Sequence, residues 1–133
     1  MMVILGEYVL PFIGSLLLVA VVTLIAEAPF YLAASAGAKC SLGYKLGIFI
    51  LINIITNMTI MVIWLAITYI IDDSFEVWLM ILLGVLQITA ALIEAFVYRK
   101  ALKTEKVKTL VCSFLANALS AAAVMFVIFQ FEL

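Results

Sequence analysis

The sequence predicts an all-α integral membrane protein, a four-helix bundle built from two parallel helix-pair repeats with both termini outside the cell. Three observations carry that expectation. The 133-residue chain is 69% hydrophobic and only 11% charged, with a mean hydropathy of +1.40, which leaves no soluble reading. All seven basic residues fall in two short segments. A glutamate-led pattern occurs twice inside apolar runs, as Glu27-Ala28-Pro29-Phe30-Tyr31 and Glu94-Ala95-Phe96-Val97-Tyr98.

The apolar runs cover roughly residues 8–31, 46–70, 76–98 and 108–131. Each has about 20–25 residues, enough to cross a hydrocarbon core of about 30 Å. Lipid offers no partner to backbone N–H and C=O groups, so runs of this length span as helices rather than as strands of about ten residues. The whole chain is then one membrane domain, with a repeat boundary expected between residues 71 and 72. No length remains for a catalytic ectodomain, a nucleotide-binding domain or a nucleic-acid surface.

The first run resembles a secretory leader, because Ala34-Ser35-Ala36 and Ala36-Gly37-Ala38 look like small-residue cleavage sites. No Lys or Arg precedes it, however, and Glu7 stands where a positive segment belongs. It is expected to be a retained span. Between the first and second runs lie Lys39 and Lys45; between the third and fourth lie Arg99, Lys100, Lys103, Lys106 and Lys108. The other ends carry only acids: Glu7, Asp72, Asp73, Glu76 and Glu132. Positive residues in short loops stay in the cytoplasm, so seven against none places both basic loops inside. A bias this strong also opposes a dual-topology exporter. Glu105 within the second basic loop weakens a dedicated anionic-lipid patch.

Cys40 and Cys112 map to the reducing side, so no structural disulfide is expected. With no histidine and no metal-ligand spacing, the chain offers nothing to zinc, haem or iron–sulfur clusters, and no cofactor is expected.

Polar residues within the runs fall at three- and four-residue spacing, on one face of each helix. These faces carry Thr23, Glu27 and Tyr31; Asn53, Thr56 and Asn57, continued by Ile60 and Trp64; Gln87, Ala91, Glu94 and Tyr98; and Ser113, Asn117 and Ser120. At about 1.5 Å rise per residue, the glutamates lie about 6–8 Å and Asn53 and Asn117 about 12–14 Å from the cytoplasmic interface. An ionisable group at membrane depth costs several kcal/mol unless paired or hydrated, and so marks a functional site. With parallel repeats, Glu27 faces Glu94 and Asn53 faces Asn117. Two converging carboxylates cannot both ionise cheaply, so the pair holds a proton or a cation. The expected site comprises Glu27, Glu94, Asn53, Asn57, Asn117, Thr56, Ser120, Tyr31 and Tyr98, open toward the cytoplasm. Bland readings compete: the asparagines as interhelical glue, and the glutamates snorkelling or paired with Lys39, Lys45 or Arg99. Trp64, Tyr69 and Trp78 read as interface anchors and bulk.

Glu27-Ala28-Pro29, Asn53-Ile54-Ile55-Thr56-Asn57, Glu94 to Tyr98 followed by Arg99-Lys100, and Ser113 through Asn117 to Ser120 together resemble a group of small four-span membrane proteins of Firmicutes. The resemblance touches all four helices and implies a multi-pass protein of a bacterial cell membrane; it brings no activity with it. Those proteins usually carry proline after the second asparagine, where this chain has Met58, so the proline kink in the second helix is not implied.

Three function classes follow. The first is binding or transport of a cation, proton or small polar solute, with a homo-oligomer or a partner subunit completing the pathway. The second is an accessory or scaffolding subunit whose polar cluster fixes helix register. The third, an intramembrane hydrolase, lacks a histidine, a nucleophile elbow and a metal set. The topology is testable with a single-cysteine variant, Lys103→Cys in a background of Cys40→Ser and Cys112→Ser. An impermeant thiol reagent should label it only after the cells are opened; labelling of intact cells would reverse the orientation.

Overall fold

Apolar side chains at almost every position leave the backbone one way to satisfy itself in lipid, and the chain takes it four times. In the computed structural model, which describes residues 2–70 and 76–131, α1 runs Met2–Ser35, α2 Leu42–Ile70, α3 Glu76–Leu102 and α4 Lys106–Phe131. Each is long and apolar enough to cross a membrane, over Ile13–Ser35, Leu42–Trp64, Val77–Leu102 and Lys106–Val127. Of the acidic ends noted in the sequence, Asp72, Asp73 and Glu132 lie outside the described residues, as do the side chains of Glu7 and Glu76 and that of the expected interface anchor Tyr69.

At the basic-loop end, the helices run two to four residues beyond the apolar bounds, to Ser35 and Leu102 and from Leu42 and Lys106. Hydropathy stops at the first charge, whereas backbone hydrogen bonding continues into the interface. Ser41 caps α2 by accepting from the Tyr44 N–H at 3.2 Å, which satisfies one orphan donor of the first turn. Thr109 donates to the Glu105 carbonyl at 2.6 Å and lies 2.6 Å from the Thr104 hydroxyl, holding the three-residue turn into α4. α1 continues through Pro29, whose missing N–H frees the carbonyl one turn back, a defect neighbouring helices can compensate in a membrane. α2 is unbroken at Met58.

Packing follows a ring, α1–α4–α3–α2, in which the α1–α4 contact is the most extensive and the α1–α2 contact the least of the four neighbouring pairs. The side-chain distribution is inverted relative to a soluble bundle. Ile25, Val62, Phe96 and Phe126 are all more than 60% exposed and face the lipid position. Half of the buried set is polar: Thr23, Glu27, Ser35, Asn53, Thr56, Glu94, Thr109, Ser113, Asn117 and Ser120. Small residues Ala90, Ala91, Ala95 and Ala116 let the helices approach around them. Thr59 and Thr89, on the outer surface, silence their hydroxyls on the Ile55 and Val85 carbonyls of their own helices at 2.7 and 2.8 Å.

The apolar core proper is small and lies toward the basic loops: Tyr31, Phe49, Ile52, Tyr98 and Leu102. Tyr31 stacks on Phe49 with centroids 4.7 Å apart and meets Tyr98 edge-on at 4.8 Å. Tyr31 also donates to the Lys45 backbone carbonyl, pinning α1 to the start of α2.

Lys103, directly after α3, has φ of 52°, the left-handed conformation that usually follows a helix as glycine. A side chain there costs about 1–2 kcal/mol. Lys103→Gly is therefore expected to stabilise the bundle by about 1 kcal/mol, read as a higher midpoint in reversible detergent unfolding. Lys103→Ala, the control for charge loss, should give no such gain; an equal gain from both would assign the effect to charge.

Candidate functional site

The two glutamates are among the most buried side chains of the described chain, Glu27 at 2% and Glu94 at 1% exposure. Snorkelling is thereby excluded. α1 positions Glu27 one turn from Thr23 and one turn from Tyr31, and all three are buried on the same face. α3 repeats the arrangement with Ala91, Glu94 and Tyr98. Both carboxyls line the same small crevice between the helices.

Neutral donors from other helices hold them. Thr56 of α2 bonds Glu94 Oε1 at 2.8 Å, and Asn117 Nδ2 of α4 donates to Glu94 Oε2 at 2.7 Å. Ser120 of α4 bonds Glu27 Oε1 at 2.7 Å, and the Asn53 amide of α2 faces the same carboxyl. Among the described residues, the groups bonded to either carboxyl are all uncharged, so the salt bridge to Lys39, Lys45 or Arg99 is not formed. Asn53 Nδ2 also reaches the Tyr98 hydroxyl at 3.4 Å, and Asn57 Nδ2 donates to the Asn53 backbone carbonyl at 2.9 Å and to Asn53 Oδ1 at 3.1 Å.

The hydroxyls carry one proton each and have more than one acceptor. Thr56 Oγ1 lies 2.9 Å from the Ile52 carbonyl as well as 2.8 Å from Glu94. Ser120 Oγ lies 3.1 Å from the Asn117 carbonyl as well as 2.7 Å from Glu27. Each hydroxyl can donate to a carboxylate, or turn to its own helix and accept from a protonated carboxyl. The site can thus gain or lose a proton with its heavy atoms unmoved. Asn117 is committed as a donor, to Glu94 and to the Ser113 carbonyl at 3.0 Å, so Glu94 Oε1 is the oxygen free to carry a proton.

Between the carboxyls and the basic-loop end lies a crevice of about 10 Å³, lined by Glu27, Glu94, Tyr31, Tyr98 and Ser113 and continuing past Ala34 and Cys112. That is roughly one water-sized probe sphere. Tyr31, Phe49 and Tyr98 narrow what the sequence suggested would be an open route. Ser113 is 3% exposed, and its Oγ has no hydrogen-bond partner, an arrangement buried hydroxyls normally avoid. On the opposite side, a much larger cavity of about 230 Å³ extends away from the basic loops, with Ser120 and Asn57 in its lining. Trp64 lines that cavity, whereas Trp78 is 67% exposed, as an interface anchor would be.

All nine residues singled out in the sequence therefore gather at or beside the two carboxyls. Asn57 is half-buried and supports Asn53 rather than a carboxyl. Tyr31 is turned to the Lys45 carbonyl and the aromatic cluster. Sequence reasoning missed the significance of Phe49 and of the unpartnered Ser113 hydroxyl; helical spacing marked Ser113 as inward, but nothing in the sequence shows which inward hydroxyls lack partners. Cys40 and Cys112 are free thiols. Among the described residues, no three His, Cys, Asp or Glu side chains come together as metal ligands. Compared with family models, curated proteins and solved structures, the chain matches none.

Replacing Asn117 with Leu strips Glu94 Oε2 of its donor and should cost about 1–3 kcal/mol, the penalty for a buried polar group left unpaired. Adding Glu94→Gln should recover part of that loss. A double-mutant cycle in reversible detergent unfolding measures it, and strict additivity would show that the 2.7 Å contact carries no energy.

Proposed function

We propose that this multi-pass membrane protein binds a proton or a small monovalent cation between Glu27 and Glu94, and through that site moves an ion or small polar solute across the bilayer. One observation carries the reading. The buried Ser113 hydroxyl has no partner and lines a one-water crevice shared by both carboxyls. Two carboxyls with only neutral bonding partners, several kcal/mol uphill if ionised without compensation, need a positive guest. Hard oxygen donors suit a proton or an alkali cation. The glutamates also stand between a narrow crevice on one side and a roomy cavity on the other, as a gated site requires.

The site's pattern supports descent from two parallel repeats. The sequence step from Asn53 to Asn117 equals that from Thr56 to Ser120, and Glu27 to Glu94 equals Tyr31 to Tyr98. Under that pairing, the Thr56–Glu94 bond answers the Ser120–Glu27 bond. Asn117 on Glu94 likewise answers Asn53 beside Glu27. The charge bias supports basic loops in the cytoplasm and termini outside. Four spans enclose little, and the α1–α2 contact is the least extensive of the four neighbouring pairs, so a second copy or a partner subunit at that seam completes the pathway. The Firmicutes group resembled in sequence would share the site.

A second reading has its own observation. Glu94 ties α3 to both α2 and α4, and Glu27 ties α1 to α4, so the cluster alone could fix helix register in a scaffolding subunit.

Glu27→Gln and Glu94→Gln separate the two. In weakly buffered detergent, sodium chloride added to the purified protein should release about one proton per chain, whereas choline chloride should not. Each single variant should weaken the response at least tenfold, and the double variant should abolish it. Release unchanged in the double variant sinks the ion-binding reading. Variants that alter only stability or oligomeric state, beside a wild type that releases nothing, establish the scaffold.

A further inference from the structure

The 230 Å³ cavity in the half of the bundle remote from the basic loops is not explained by a site that holds one ion. We propose that it is the binding site for a small organic ammonium with an apolar body of about one ring, whose charged head rests on Ser120 against Glu27. The inference deepens the proposed function by naming the solute class, and it rests on the reading that the glutamates can carry charge.

Size comes first. Cavities of about 150 Å³ lined by apolar side chains take up benzene, so the volume here admits a phenyl-sized body with a short head. All four helices contribute, so it lies between the helices rather than on one helix face, and with Met125 exposed it is half open rather than sealed. Its wall is apolar, formed by Ile60, Trp64, Leu83 and Met125. An indole in such a wall favours organic cations. Unlike a purely greasy void, the chamber has a polar floor in the layer next to the carboxyls: Thr23, Asn57, Gln87 and Ser120.

Floor chemistry sets the sign of the head. Both Asn57 hydrogen-bonding contacts use Nδ2, which leaves Oδ1 as an acceptor. Ser120 Oγ already bonds Glu27 Oε1 at 2.7 Å, and so offers its remaining lone pair to a donor above it. An ammonium donating to Ser120 extends a chain N–H⁺···O–H···O⁻ in which each bond polarises the next. No Lys or Arg lines the chamber, and its nearest charged groups are carboxyls. An anion would find no counter-charge. A neutral molecule would gain only the wall.

Entry from the membrane has a feature of its own. A crevice of about 20 Å³ between α1 and α2, lined by Ala20, Leu24, Asn53, Ile54 and Met58, shares Asn57 with the chamber, so that one side chain stands between the two. It lies at the least extensive of the four contacts between neighbouring helices. A solute with an apolar body partitions into lipid and reaches such a seam.

The test uses the full chain in detergent with Trp78→Phe, which leaves Trp64 as the sole tryptophan and reporter. Three probes of one size are titrated at neutral pH: benzylammonium, benzyl alcohol and phenylacetate. Benzylammonium should bind at least tenfold more tightly than the other two. Ala121→Phe, which fills the chamber lined by Ala121, should abolish binding of all three, and Gln87→Leu should weaken benzylammonium severalfold. Should Ala121→Phe fail to fold, Gln87→Leu carries the test of the floor. Glu27→Gln should remove the preference for ammonium over alcohol while sparing weak binding of the ring. Equal affinity for benzylammonium and benzyl alcohol, or insensitivity to folded Ala121→Phe, overturns the proposal. If sodium still displaces protons but benzylammonium does not bind, the chamber inference falls and the glutamate site stands. If benzylammonium binds with its preference intact in Glu27→Gln and Glu94→Gln, the glutamates are not the source of selectivity and the reading of their charge falls.

Discussion

A carboxyl group inside a hydrocarbon slab must be surrounded by donors, and the backbone N–H groups of its own helix are already paired. Here they come from other helices: Thr56 and Asn117 for Glu94, Ser120 for Glu27. That requirement organises the rest. It turns one face of every span inward, fixes the relative height of α2, α3 and α4, and draws α1 onto α4, the most extensive contact in the bundle. The alanines around the cluster are small because the donors must approach to hydrogen-bond distance. The large aliphatic side chains are left to the lipid.

An inside built this way is stabilised differently from a soluble core. Hydrophobic burial drives little when the surroundings are as apolar as the side chains, so packing, small-residue contact and interhelical hydrogen bonds remain. Among the described residues, the buried apolar cluster centres on Tyr31, Phe49 and Tyr98 near the basic loops. The larger cavity lies on the opposite side of the carboxyls. Close packing and free space thus lie on opposite sides of the carboxyls. Under the proposed function, one end would keep the helices in register while the other takes the guest.

Much of this was legible in the residues, and the reason is periodicity. Four apolar runs could only be helices, and residues such as Thr23, Glu27 and Tyr31, four apart, could only share a face. Spacing alone therefore gathers Glu27, Glu94, Asn53, Asn117, Thr56 and Ser120. It could not show which donor meets which acceptor, because that depends on ring order and rotation. Nor could it distinguish Ser113, left without a partner, from Ser120, which has one; their spacing is equivalent. Phe49 read as one more apolar residue, and only packing shows it closing the route beside Tyr31. The chamber was invisible for the same reason: a cavity is defined by atoms that several helices fail to bring together. Salt bridges to the basic loops were a fair expectation from sequence proximity, but helix length carries Lys39, Lys45 and Arg99 beyond the carboxyls.

The pairing that aligns Asn53 with Asn117 also sets Phe49 against Ser113. One position holds a ring stacked on Tyr31; its counterpart holds a bare hydroxyl beside empty space. Two matched carboxyls facing across a true twofold axis would give a guest a double well with equal minima, and no reason to leave by one side rather than the other. A ring at one position and an unbonded hydroxyl at the other make the surroundings of the two carboxyls unlike, so a guest held between them under the proposed function would meet unequal wells.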